Sequence, residues 1–155
     1  MAEPADLSST IIESLYGEAL VLADEARAAF DLSGRLDIVG EDEDLARVAL
    51  SCEALRTTTR MMHAIAWLLN RRAYFSGEIS EFQLRHHGRL PPGQPASSPE
   101  QLSLLGEQTQ ELIRRTERFH ARIARLDKAW RERFALYPSG IERLRDRIGR
   151  EMSAR

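Results

Sequence analysis

Four histidines, one cysteine and two rows of arginines are the side chains with which this chain of 155 residues could do chemistry. A metal held between helices needs His and carboxylates three or four residues apart, as in Glu-x-x-His pairs on facing helices. His63, His86, His87 and His120 form no such set, and His63 has no acidic residue at a helical offset. Cys52 falls within an apolar stripe, the setting of a buried and inert thiol. There is no glycine-rich phosphate loop, nucleophile elbow or pair of catalytic carboxylates. The residues therefore predict a chain without catalytic activity, cofactor or metal.

The arginine rows carry more information. Glu53, Arg56, Arg60, His63 and Trp67 recur at three and four residues, a ladder beside an apolar stripe. Such a ladder either bonds to neighbouring helices, for example to Glu18 or Tyr16, or presents a partner surface, since Arg and Trp are frequent binding anchors. Arg115, Arg118, Arg122 and Arg125 form a second row. It reads as a solvated face with pairs such as Glu111 to Arg115, or as a surface for an acidic partner. Both rows are candidate partner-binding residues.

The elements that position these rows are helices. Ile12, Tyr16, Ala19, Ala23, Ala26 and Phe30 line one face of a first helix over about 9–32, capped by Ser8 or Ser9 and ended by Gly34. A second helix, about 42–75, repeats Leu45, Val48, Cys52, Leu55, Thr59, Met62, Ala66, Leu69 and Ala73 at alternating three and four spacing. That period of 3.5 keeps the row on one face and predicts it as the core-facing one. Met61, Ile65 and Leu68 lie on an adjacent face and are candidates for self-association into a homodimer. Ser98-Pro99-Glu100-Gln101 opens a third helix, about 99–137, with Leu102, Leu105, Thr109, Leu112, Thr116, Phe119, Ile123, Leu126 and Trp130 inward.

Between them, 80–85 can form one helical turn, and the Gly-, Pro- and Ser-rich segment 86–97 reads as a flexible loop. Pro138-Ser139-Gly140 breaks the third helix, leaving a tail, 138–155, with Ile141, Leu144, Ile148 and Met152 as a narrow apolar strip. The expected fold is all-α: an antiparallel three-helix bundle of long helices with a short C-terminal helix or flexible tail, in one domain spanning 1–155.

Charge narrows the partners. The chain carries a net −2 and a pI near 6.1, which argues against nucleic acid and against anionic membranes. Residues 1–80 hold 7 arginines against 14 acids, whereas 81–155 hold 15 basic residues against 10 acids, so the halves should attract each other. A lone cysteine, no apolar run long enough to span a bilayer and no signal-peptide pattern predict a cytoplasmic protein.

Two stretches carry a resemblance. Leu15-Tyr16-Gly17-Glu18-Ala19-Leu20 with Ala23-Asp24-Glu25-Ala26-Arg27, and Cys52 through His63 continuing by Trp67-Leu68-Leu69 to Gly77-Glu78-Ile79, are similar to the RcdA family, the bacterial regulators of CtrA degradation. The similarity extends over residues 10–135, specific in the first two helices and weak in the loop and tail. It implies a three-helix adaptor without enzymatic activity. Such an adaptor helps deliver cell-cycle regulators as cargo to ClpX and its protease, together with a response-regulator-like adaptor. The alternatives are a structural helical homodimer without a protease link and a small DNA-associated regulator.

Overall fold

The computed structural model describes residues 8–35, 43–93, 96–136 and 140–154, which contain helices and no strand. In chain order these are α1 (Ser9–Arg35), α2 (Glu43–Phe75), α3 (Glu81–His87), α4 (Pro99–Leu102), α5 (Glu107–Leu136) and α6 (Gly140–Ser153). Helices α1, α2 and α5 pack on one another pairwise, and α3 and α4 pack on α2.

Helix α1 begins where expected, with the Ser8 hydroxyl accepting the Ile11 N–H at 3.3 Å. It continues past Gly34 to Arg35, and the connector 36–42 lies outside the described residues. Ile12, Leu15, Ala19, Leu22 and Ala26 are buried. Helix α5 also turns its expected stripe inward, burying Leu112, Thr116, Phe119, Ile123 and Trp130.

Helix α2 is rotated from its expected face. Leu45, Val48, Leu55, Met62 and Leu69 are exposed, Leu55 to 70%. The buried side is Ala46, Ala49, Glu53, Thr57, Arg60, Met61, Ala64, Trp67, Leu68 and Arg71. Small residues on that side admit close neighbours, and Trp67 removes more apolar area from water than any residue of the exposed row. Met61 and Leu68, expected at a self-association face, lie in the core of the monomer, with Ile65 packed against it.

The expected third helix is broken. Ser98 caps α4 and Pro99 opens it, but Ser103 turns its hydroxyl back to Glu100 O at 2.6 Å, and α5 restarts after Gly106. Leu102 and Leu105 still pack with Ala49 and Ile113 across this break.

Pairings between helices give their directions. Arg115 meets Glu25 and Arg122 meets Glu18, so α1 and α5 run in opposite senses. Arg72 meets Glu13 at one end of α2 and Phe30 packs beside Ala49 at the other, so α1 and α2 also oppose. Arg60 bonds Thr116, Trp67 bonds Asp127 and Tyr74 touches Trp130, so α2 and α5 run parallel. This departs from the all-antiparallel expectation, and segment 76–98 makes it possible. Gly77, at φ 80°, closes α2 in the left-handed conformation that glycine adopts without strain. The capped helix α3 follows, including His86 and His87 that were expected in a loop, and the described residues 88–93 and 96–98, the strap, lie against α5 and α2 through Leu90 and Ser98.

Candidate functional site

The strap is held by the ladder of α2. The Ser98 N–H donates to the fully buried Glu53 carboxylate at 3.1 Å, and Arg56 bridges that carboxylate to the Gln101 side chain. Arg60 donates to Thr116 Oγ1 on α5 at 2.9 Å and to Ser97 Oγ on the strap at 3.3 Å. Burial holds Arg60 below its ordinary pKa, and burial with nearby Arg60 and His63 does the same to His120.

Two turns further, Trp67 Nε1 donates to Asp127 Oδ1 at 3.0 Å, and the Leu90 N–H of the strap donates to the same oxygen at 3.3 Å. Asp127 Oδ2 faces Arg131 Nε at 3.2 Å, while Arg71 stands 3.8 Å from Oδ1. Arg71 lies over the Trp67 ring at 3.9 Å and donates to the Gly88 carbonyl. Burial pushes its pKa down to about 9, because Asp127 only partly offsets the loss of water. Arg85 of α3 pairs with Glu81 at 2.8 Å and with Glu142 of α6 at 2.6 Å, its guanidinium over Phe134.

The ladder residues therefore face inward: Glu53, Arg60 and Trp67 are buried, Arg56 is bonded and His63 is half-buried with an unpartnered Nδ1. Their partners are the strap, α4 and α5 rather than α1. The second row is exposed and mostly paired, Arg115 with Glu25, Arg122 with Glu18 and Arg118 with Glu111, while Arg125 is exposed beside them. Cys52 is half-buried and free.

Arg71, Arg85 and Asp127 were not picked out by motif, though spacing marks two of them. Asp127 lies four residues after Ile123 and three before Trp130, on the core face of α5, and Arg71 follows Trp67 by four. A charge on a core face requires a partner.

Two hollows open beside this seam. One, of about 460 Å³, is lined by Arg71, Arg85, Arg89, Arg131, Phe134 and Glu142. The other, of about 630 Å³, lies under the strap between Arg60, Pro91, Glu117 and His120, and shares Arg89 and Arg131 with the first. Among the described residues no group of three His, Cys, Asp or Glu converges to hold a metal, and no helix is long and apolar enough to cross a membrane. The arrangement is suited to holding chain segments and anionic groups through guanidinium forks.

No curated protein and no solved structure matches the chain. A family model described as "Protein of unknown function (DUF1465)" matches residues 4–152, nearly the whole chain, and the protein belongs to that family.

Proposed function

We propose that this chain is a non-enzymatic, cytoplasmic adaptor that helps deliver regulator cargo to the ClpXP protease, acting with a response-regulator-like partner. Its family membership supports the reading, because RcdA-family adaptors carry the same domain. The observation that carries it is the exposed apolar row of α2. From Leu45 to Leu69 the row covers about 36 Å at 1.5 Å per residue, a surface that the monomer leaves open. In this reading α1, α2 and α5 form the family's three-helix body, and the row is where another protein chain docks. An adaptor acts by raising local concentration, so two modest contacts suffice.

The test is capture from host lysate by the tagged full-length protein and by a Leu55→Glu, Met62→Glu double variant. Recovery of ClpX and a receiver-domain protein by the wild type, with a severalfold loss in a folded double variant, supports delivery. Absence of both from the wild-type capture overturns it.

The spacing of the same row favours a second reading, a structural homodimer in which two copies of α2 pair along their three and four repeats. Light scattering separates the two. A wild-type particle of twice the chain mass that the double variant reduces to one chain, without ClpX in the capture, assigns the row to self-assembly.

A further inference from the structure

We propose that the hollow under the strap is a binding site for a small phosphomonoester with an apolar body, its phosphoryl group held by Arg60, Arg89 and Arg131 beside His120. Open donor capacity is the first support. Arg60 is only 4% exposed, yet its hydrogen bonds go to two neutral hydroxyls, those of Thr116 and Ser97. The carboxylate paired with it, Glu117, stands at 3.9 Å, beyond hydrogen-bond reach. A guanidinium held this far from water gains from an anion brought near it. Arg89 bonds the Arg85 carbonyl and Arg131 faces the Asp127 carboxylate, each through Nε alone. The terminal nitrogens of both side chains are therefore open to a ligand.

An orphaned polar atom is the second support. The His120 ring lines the same hollow, and its Nε2 is buried without a hydrogen-bond partner. Buried ring nitrogens are ordinarily bonded, so this one marks a place for a further polar group. In the tautomer that carries the proton on Nε2, it donates to a phosphoryl oxygen. Two carboxylates share the lining, Glu117 and Asp127. Asp127 already accepts from Trp67 and Leu90 and faces Arg131 and the buried Arg71, while Glu117 faces Arg60. Three guanidinium groups against two acids, with Arg71 behind Asp127 as a fourth, keep the hollow electropositive.

Shape and wall select the ligand. At about 630 Å³ the hollow has the size of a small-molecule site and is too large for a bare ion. Leu90, Pro91, Ala121 and Ala124 give it an apolar wall against which a hydrophobic body can lie. Its guanidinium groups come from α2, the strap and α5, three elements that suit the three outer oxygens of a phosphoryl group better than the two of a carboxylate. A ligand so held joins Arg89 of the strap to Arg60 and Arg131 of the long helices. Its binding would fasten the strap to the body.

Titration of the full-length chain tests the hollow and says nothing of protease delivery, so the two readings fail separately. The probes are phenyl phosphate, inorganic phosphate and benzoate, followed by calorimetry and by the His120 ring resonances. Phenyl phosphate should bind about tenfold more tightly than either of the others and shift the His120 ring. Arg89→Gln combined with Arg131→Gln, both at exposed positions, should weaken its binding about tenfold. Ala121→Trp, which fills the hollow from an exposed position, should abolish binding with the far-ultraviolet dichroism unchanged. No binding of phenyl phosphate, an unmoved His120 ring, or binding that survives either set of substitutions in a folded protein would overturn the proposal. So would a match to phenyl phosphate by benzoate, marking a carboxylate site, or by inorganic phosphate, marking a general ion site.

Discussion

Asp127 is the residue on which most of the buried polar seam converges. Its carboxylate accepts from Trp67 and Leu90 and faces Arg71 and Arg131 while only 3% exposed. Asp127→Asn keeps the shape and removes the charge opposite a buried cation, so it should cost about 3–5 kcal/mol, read by urea denaturation. Arg131→Gln, at the outer and half-exposed side of the same carboxylate, should cost no more than about 1 kcal/mol. Equal losses would deny Arg71 its dependence on Asp127. His120 supplies a pH test. Burial lowers its folded pKa below 6.5, so the unfolded chain binds more protons in the window just below that value. Its contribution to stability is therefore present above 6.5 and is lost as pH falls through the folded pKa. His120→Gln should flatten that part of the stability profile, and an unaltered slope would locate the titration elsewhere.

At the scale of elements, α1 and α5 were legible in the sequence because their apolar rows are the rows they bury. Helix α2 was legible as a helix and misread as a surface. A heptad row of Leu, Val and Met looks like a core, while Glu53, Arg60 and Arg71 look like solvent, unless their partners are known. Those partners are distant in the chain. Ser98 lies 45 residues from Glu53 and Leu90 lies 37 from Asp127, separations that no local pattern encodes. For the same reason a composition rich in Gly, Pro and Ser cannot distinguish a mobile loop from a strap held by side chains. Hydrogen exchange makes the distinction: the Leu90 amide should be protected in the wild type and exchange at least tenfold faster in Asp127→Asn. Free exchange of that amide in the wild type would show that the strap is not held.

For the whole molecule, the attraction expected between an acidic first half and a basic second half takes form in Glu18–Arg122 and Glu25–Arg115. Both pairs are about half exposed, so each contributes about 0.2–1 kcal/mol, and high salt should lower the melting temperature by only a few degrees. The rotated face of α2 gives a sharper contrast. Leu68→Glu places a charge at a position with no exposure and should leave little folded protein at room temperature. Leu55→Glu, on the open row, should keep the far-ultraviolet dichroism of the wild type while changing whatever that row binds. A folded Leu68→Glu protein would contradict the packing of α2.

The parallel pairing of α2 with α5 also sets an order of assembly. Helices α1 and α2 are neighbours in sequence, separated by residues 36–42, whereas residues 76–106 separate α2 from α5. Closing the longer excursion costs more chain entropy before any contact repays it. Side chains between α1 and α2, such as Leu15 and Ala64, should therefore have high φ-values, and those that pin the strap should have low ones. Loosening the strap would then mainly hasten unfolding, so the seam around Asp127 governs how long the native molecule lasts more than how quickly it forms.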